Sequence, residues 1–165
     1  MTTKSIRYVL LTGADLGNRQ LNLERAFNLI GDKIGMIINA SSIFETEPWG
    51  FQSTTMFLNQ ALMVESSLKP EVVLERILSI EEELGRSRAS DQWTSRAIDI
   101  DILCANQLIH HSEKLVIPHK HLHERTFALR PLCEVTPEWI HPLIRKPYRE
   151  ILSELIETTV TEKAH

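Results

Sequence analysis

Arg96-Ala97-Ile98-Asp99-Ile100-Asp101-Ile102 sets two carboxylates inside an otherwise apolar, β-branched run. In a strand, side chains alternate between faces, so Asp99 and Asp101 share one face while Ile98, Ile100 and Ile102 share the other. Two charges on one face of a hydrophobic strand are costly unless a cation compensates them. The run also reads as the closing strand of a series, and that series decides the fold.

Upstream of it, Ile6 to Leu11 is apolar and β-rich. After Thr12-Gly13-Ala14-Asp15-Leu16-Gly17-Asn18, the residues Leu16, Leu23, Phe27 and Ile30 recur at helical spacing, with Gly31 placed to cap the helix. Ile34 to Phe44 reads as a second strand, Glu45 to Thr55 as a loop holding Pro48 and Gly50, and Phe57 to Glu65 as a third strand. Pro70 suits the first turn of a second helix, whose stripe is Val73, Ile77, Ile80 and Leu84 and whose end is Gly85. Arg86 to Ser95 is a polar loop that leads into the Asp-bearing strand. The order β-α-β-β-α-β predicts an α+β, ferredoxin-like fold: an antiparallel sheet with two helices packed on one face.

Beyond Leu103 the pattern weakens into a C-terminal extension over residues 104–157. Leu108-Ile109 and Leu115-Val116-Ile117 read as a small hairpin, His121 to Leu132 and Tyr148 to Ile156 as helices, and 158–165 as a frayed tail. With no repeat or linker, residues 1–165 read as one domain whose βαββαβ core is 1–103.

The 165 residues are 42% hydrophobic and 24% charged, an ordinary composition for a folded chain. A net charge of -4 argues against a general nucleic-acid or membrane-surface binder. Cys104 and Cys133 form no CxxC pattern and no disulfide framework, which fits reduced thiols in the cytoplasm. No apolar run is long enough to span a membrane, and the N-terminus lacks the apolar stretch of a signal peptide.

Taken alone, Asp99 and Asp101 fit solvent-facing acids as well as they fit a metal pair. With no Cys or His in the run, a metal there is a hard ion such as Mg2+, which keeps waters and substrate phosphates as further ligands. Arg86, Arg88 and Arg96 lie close by in sequence. Magnesium with several guanidinium groups is equipment for holding a triphosphate. Neither a Walker A sequence nor a GxGxxG loop occurs, so side chains and metal would do the holding. Trp93, among polar neighbours, suits a loop that closes over a planar ligand. Zinc is the weaker reading of His119, His121 and His123, which lack a Cys or HExxH context. His119, after Pro118, is placed as a phosphate ligand with Arg125 close behind. Asn59 lies on a strand among apolar residues, where an amide can read a heterocycle edge, and Phe57 shares its face.

Several segments together resemble the 6-hydroxymethyl-7,8-dihydropterin pyrophosphokinase family. They are Glu45-Thr46-Glu47-Pro48, Phe57-Leu58-Asn59, Glu83-Leu84-Gly85-Arg86-Ser87-Arg88, Trp93 through Leu103, Val116-Ile117-Pro118-His119 and Arg125-Thr126-Phe127-Ala128-Leu129. The resemblance runs from about residue 5 to about residue 142. It implies diphosphate transfer from ATP to 6-hydroxymethyl-7,8-dihydropterin in folate biosynthesis by a cytoplasmic enzyme, expected to be a monomer. It implies Asp99 and Asp101 as ligands of two Mg2+ ions, and Arg86 and Arg96 as catalytic arginines. It further implies Glu81, Arg88, Lys114, His119 and Arg125 on the ATP side, and Thr46, Pro48, Trp49, Phe57, Asn59, Trp93 and Phe127 on the pterin side. The chain departs from the family pattern at Gly13-Ala14-Asp15, where Gly-Ser-Asn is usual, and at Thr94-Ser95, where Gly-Pro is usual. Another Mg2+-dependent phospho- or nucleotidyltransferase, or a catalytically silent pterin- or nucleotide-binding domain, remains the alternative.

Overall fold

β1 (Ile6–Ala14) is the strand on which the molecule is built. It is apolar on both faces because both faces are covered, the pattern of a strand in the middle of a layered domain. The structure, a computed structural model, describes residues 4–47, 56–85 and 97–163.

α1 (Arg19–Lys33) starts at Asn18, whose side chain accepts a hydrogen bond from the Leu21 N–H at 3.0 Å. Its buried stripe is Leu23, Ala26 and Ile30. That corrects the expected stripe: Leu16 precedes the helix and is 42% exposed, and Phe27 is 36% exposed. Gly31 lies inside the helix rather than capping it. The expected single second strand is two, β2 (Met36–Ala40) and β3 (Phe44–Thr46). Between them the Ser41 side chain accepts the Ala61 N–H at 2.9 Å, and Ser42 donates to Glu134. The Ser41 N–H still donates to the Ala61 carbonyl at 2.9 Å, and beyond it these side-chain bonds take over from the ladder. Both strands pair with β4 (Phe57–Ser66).

α2 (Pro70–Glu83) opens with Pro70 and buries Val73, Ile77 and Ile80 as expected. Gly85 follows with φ +102, a conformation that favours glycine and ends the helix. β5 (Asp99–Cys104) completes an antiparallel sheet of order β2-β4-β1-β5, with β3 also on β4.

The extension forms a hairpin, β6 (His110–His111) with β7 (Val116–Ile117), then α3 (Thr126–Val135) and α4 (Tyr148–Lys163). The expected helix from His121 begins instead as one 3-10 turn, Leu122–Glu124; Arg125 is extended and interrupts it before α3. α4 also continues through the residues expected to fray.

Two cores result. One joins α1 and α2 to Tyr8, Leu10, Leu62, Val64, Ile98, Ile100 and Ile102. The other joins α3 and α4 to Val9, Leu11, Ala61, Met63 and Leu103. The sheet therefore lies between two helical layers: the two core helices share one face, as expected, and the extension covers the other. Among the described residues, no helix is long and apolar enough to cross a membrane.

Candidate active site

The site is built on the sheet face that α3 covers only in part. In β5, Ile100 and Ile102 point into the core beneath α1 and α2. Asp99 and Asp101 therefore point to the α3 side, both half-buried. The register carries their face across the sheet. Asp101 pairs with Leu11 and Asp99 with Gly13. Gly13 pairs in turn with Asn59, Asn59 with Phe44, and Phe57 with Thr46. Directly opposed residues share a face, so Asp99, Gly13, Asn59, Phe57 and Thr46 form one continuous surface.

Gly13 makes that surface concave. A Cβ there would meet Asn59 Oδ1 at 3.0 Å and Phe57 Cδ1 at 3.8 Å. A glycine inside a strand often marks where another group approaches the backbone closely. Asn59 is buried, and its Nδ2 donates to Thr46 Oγ1, which fixes the plane of the amide. Gly13→Ala is expected to crowd this amide and raise the KM for a planar substrate about tenfold or more, with the KM for the phosphate donor nearly unchanged. Steady-state kinetics with each substrate varied in turn check it. Gly13 and Ala14, read from sequence as part of a loop, belong to β1, and Asp15 beyond them is 1% exposed.

Across from the carboxylates stand two cationic or polar groups from the extension. Arg125 immediately precedes α3. Burial pulls its guanidinium down from the ordinary value, while Asp101, Asp99 and Glu124 push it back up. Its Cζ lies 5.7 Å from the centre of the Phe127 ring, within cation–π range. His119 is held beside β5 by its N–H, which donates to the Leu103 carbonyl at 2.8 Å. Its Nδ1 accepts the His121 N–H at 3.2 Å, which leaves the proton of the neutral ring on Nε2.

Burial, with Arg125, His121 and Lys120 adding and Asp99 opposing, pulls the His119 imidazole down to about 4. At neutral pH it is an uncharged donor. The unfolded ring, at the ordinary value of 6.5, takes up its proton first as pH falls. Its contribution to folding is thus complete above pH 6.5 and is lost as pH drops toward 4. His119→Gln should flatten the fall of the urea midpoint across that interval; an unchanged slope would show that His119 is not the group responsible.

Glu81 is 1% exposed and lies on the α2 side of the sheet, away from the Asp face. Its Oε2 accepts the Ile100 N–H at 3.1 Å, so it seals the outer edge of β5 between the two aspartates. This bond supports the Asp strand at its edge. Glu81→Ala should cost about 1–3 kcal/mol of stability by orphaning that buried N–H, with Glu81→Gln recovering part, as read from urea unfolding. Lys114 is exposed in the turn of the β6–β7 hairpin. Pro48, Trp49, Arg86, Arg88, Trp93 and Arg96 lie outside the described residues.

Among the described residues, no three His, Cys, Asp or Glu side chains gather as a metal cluster. Two carboxylates alone fit a hard divalent ion that takes its other ligands from water and substrate phosphates.

An acid pair facing a half-buried arginine and a neutral histidine, beside a flat recess with an amide and aromatic rings, defines a class: a small α+β phosphoryl-transfer domain. The family model for 7,8-dihydro-6-hydroxymethylpterin-pyrophosphokinase matches residues 9–137, and the chain belongs to that family. It is 38% identical over 136 residues to a 2-amino-4-hydroxy-6-hydroxymethyldihydropteridine pyrophosphokinase of Porphyromonas gingivalis, covering 81% of this chain and 92% of that protein. It is also 38% identical over 132 residues to the protein of the same name in Bacillus subtilis, covering 79% and 78%. A crystal structure of Plasmodium falciparum HPPK-DHPS with pteroate shares the fold, with TM-score 0.82 at 18% identity over 100% of this chain. This chain spans 47% of that longer one.

Proposed function

We propose that this chain transfers the β,γ-diphosphate of ATP to the 6-hydroxymethyl oxygen of 6-hydroxymethyl-7,8-dihydropterin, a step of folate biosynthesis. One observation carries the reading: the register row Asp99–Gly13–Asn59 sets a carboxylate and a buried amide on either side of a glycine recess. Two substrates bound on that face would meet at the aspartates.

The pterin lies over Gly13, its edge read by Asn59 and its ring between Phe57 and Phe127, with Thr46 orienting the amide. The triphosphate lies on the extension side, where Arg125 and the Nε2–H of His119 donate to phosphate oxygens. Arg86 and Arg96 act on the same phosphates, Arg88 and Lys114 serve as further contacts, and Trp93, Pro48 and Trp49 border the pterin. Asp99 and Asp101 would hold two Mg2+ ions. When bound, Mg2+ neutralises phosphate charge and orients the reacting oxygens. The hydroxymethyl oxygen bonds to the β-phosphorus as the bond from that phosphorus to the bridging oxygen breaks. AMP leaves with that oxygen, and the hydroxyl proton passes to solvent. No covalent enzyme intermediate is needed, and positioning with charge stabilisation supplies the catalysis. One chain carries both halves of the site, so it acts as a monomer, in the cytoplasm where ATP is supplied.

The test is product analysis with ATP, Mg2+ and the hydroxymethyl dihydropterin. Equal amounts of AMP and pterin diphosphate are expected. Formation of ADP, or pterin binding with no turnover, would refute the assignment.

A further inference from the structure

Arg19 opens α1, in the helical layer on the opposite side of the sheet from the aspartates. Its Nη1 donates to the Met56 carbonyl at 2.7 Å and lies 3.4 Å from Glu45 Oε2. Glu45 sits in β3 directly before Thr46, and Met56 directly precedes Phe57, the first residue of β4. Thr46 and Phe57 are register partners, and Thr46 Oγ1 is the acceptor that orients Asn59. Alternation turns Glu45 away from the face that Phe44 and Thr46 share. Arg19 therefore grips the end of the β3–β4 pair from behind and touches neither Thr46, Phe57 nor Asn59 through these contacts.

The pair needs such a grip. β3 is only 3 residues long, and a ladder that short has little stability of its own. Met56 lies outside the ladder, so among the described residues its carbonyl takes no strand partner. A planar guanidinium can serve a carbonyl and a carboxylate at once in a fixed geometry, which a flexible ammonium does less well.

We propose that Arg19 is a positioning residue for the pterin side of the site. It pins β3 to the start of β4 and so holds Thr46, Phe57 and Asn59 in register over Gly13. The inference rests on the function proposed above. An amide held loosely would lose affinity for the ring whose edge it reads, because the ordering would then be done at the cost of binding. ATP binding, on the extension side, would be spared.

Steady-state kinetics on Arg19→Met, Arg19→Lys and Glu45→Gln, with wild type alongside, test it. Arg19→Met should raise the pterin KM about tenfold while the ATP KM and kcat stay within about twofold. Arg19→Lys should recover part of the loss, and Glu45→Gln, which keeps the Met56 bond, should shift the pterin KM the same way by less. An unchanged pterin KM in Arg19→Met, or equal rises for both substrates, would overturn the proposal. If Arg19→Met does not fold, an unchanged pterin KM in Glu45→Gln overturns it equally. Wild type that releases no AMP refutes the proposed function; active wild type with unaltered variants refutes only the role of Arg19.

Discussion

Asp101→Asn is expected to lower kcat by on the order of 10³, with Asp99→Asn comparable and the melting temperature of either variant moving by only a few degrees. On the proposed function the two effects separate, because the aspartates would hold the ions of the reaction and do not complete the core. Both are half-buried on a strand face whose apolar partners, Ile98, Ile100 and Ile102, point the other way into a complete core. Two like charges on one strand face repel, so an isosteric amide relieves some strain of the free protein while weakening its hold on Arg125. Those changes oppose each other. On the proposed function, in contrast, substrate phosphates would meet the aspartates only through cations, and an amide is a poor ligand for a hard ion. Full turnover in either variant, measured as AMP released, would remove the aspartates from the reaction.

Arg125→Ala should reduce kcat/KM for ATP by on the order of 10²–10³. Its guanidinium is half-buried and faces Asp99 and Asp101, so it is already aimed at the place where phosphate charge would be held. Because its Cζ lies 5.7 Å from the Phe127 ring, the same variant should also raise the pterin KM, though less. Arg125→Lys should recover only part of the ATP effect, since an ammonium cannot reproduce the planar fork. Kinetics with each substrate varied separately read both effects. An ATP response confined to the wild-type range would place the triphosphate elsewhere.

The sheet face that carries the candidate site is partly readable from the chain. The alternation of Asp99 and Asp101 with isoleucines assigned them one face without any knowledge of their neighbours, and Val73, Ile77 and Ile80 gave α2 its buried side. Local signals failed where distant groups decide. Ile34 to Phe44 has β-prone residues at both ends with Asn39-Ala40-Ser41-Ser42 between them, and the bonds of Ser41 to Ala61 and of Ser42 to Glu134 fix where it divides. Helical spacing alone misassigns the stripe of α1, because Ala26, small and weakly apolar, is buried while Phe27 is on the rim. The helix expected from His121 is broken by the extended Arg125, the very residue that faces the aspartates. Gly13 gave only a loop signal in sequence; its use as a recess depends on Asn59 lying opposite it in the register. Arg19 gave none, since its partner is a main-chain carbonyl 37 residues away.

The claim that a single sheet face joins both substrates is decided by a crystal structure with a non-hydrolysable ATP analogue, Mg2+ and the hydroxymethyl dihydropterin bound together. The pterin should lie over Gly13 with its edge on Asn59, the phosphates should reach Arg125 and His119, and Asp99 and Asp101 should stand between them. A triphosphate bound on the α1–α2 side of the sheet, or a pterin away from Asn59, would show that claim to be wrong.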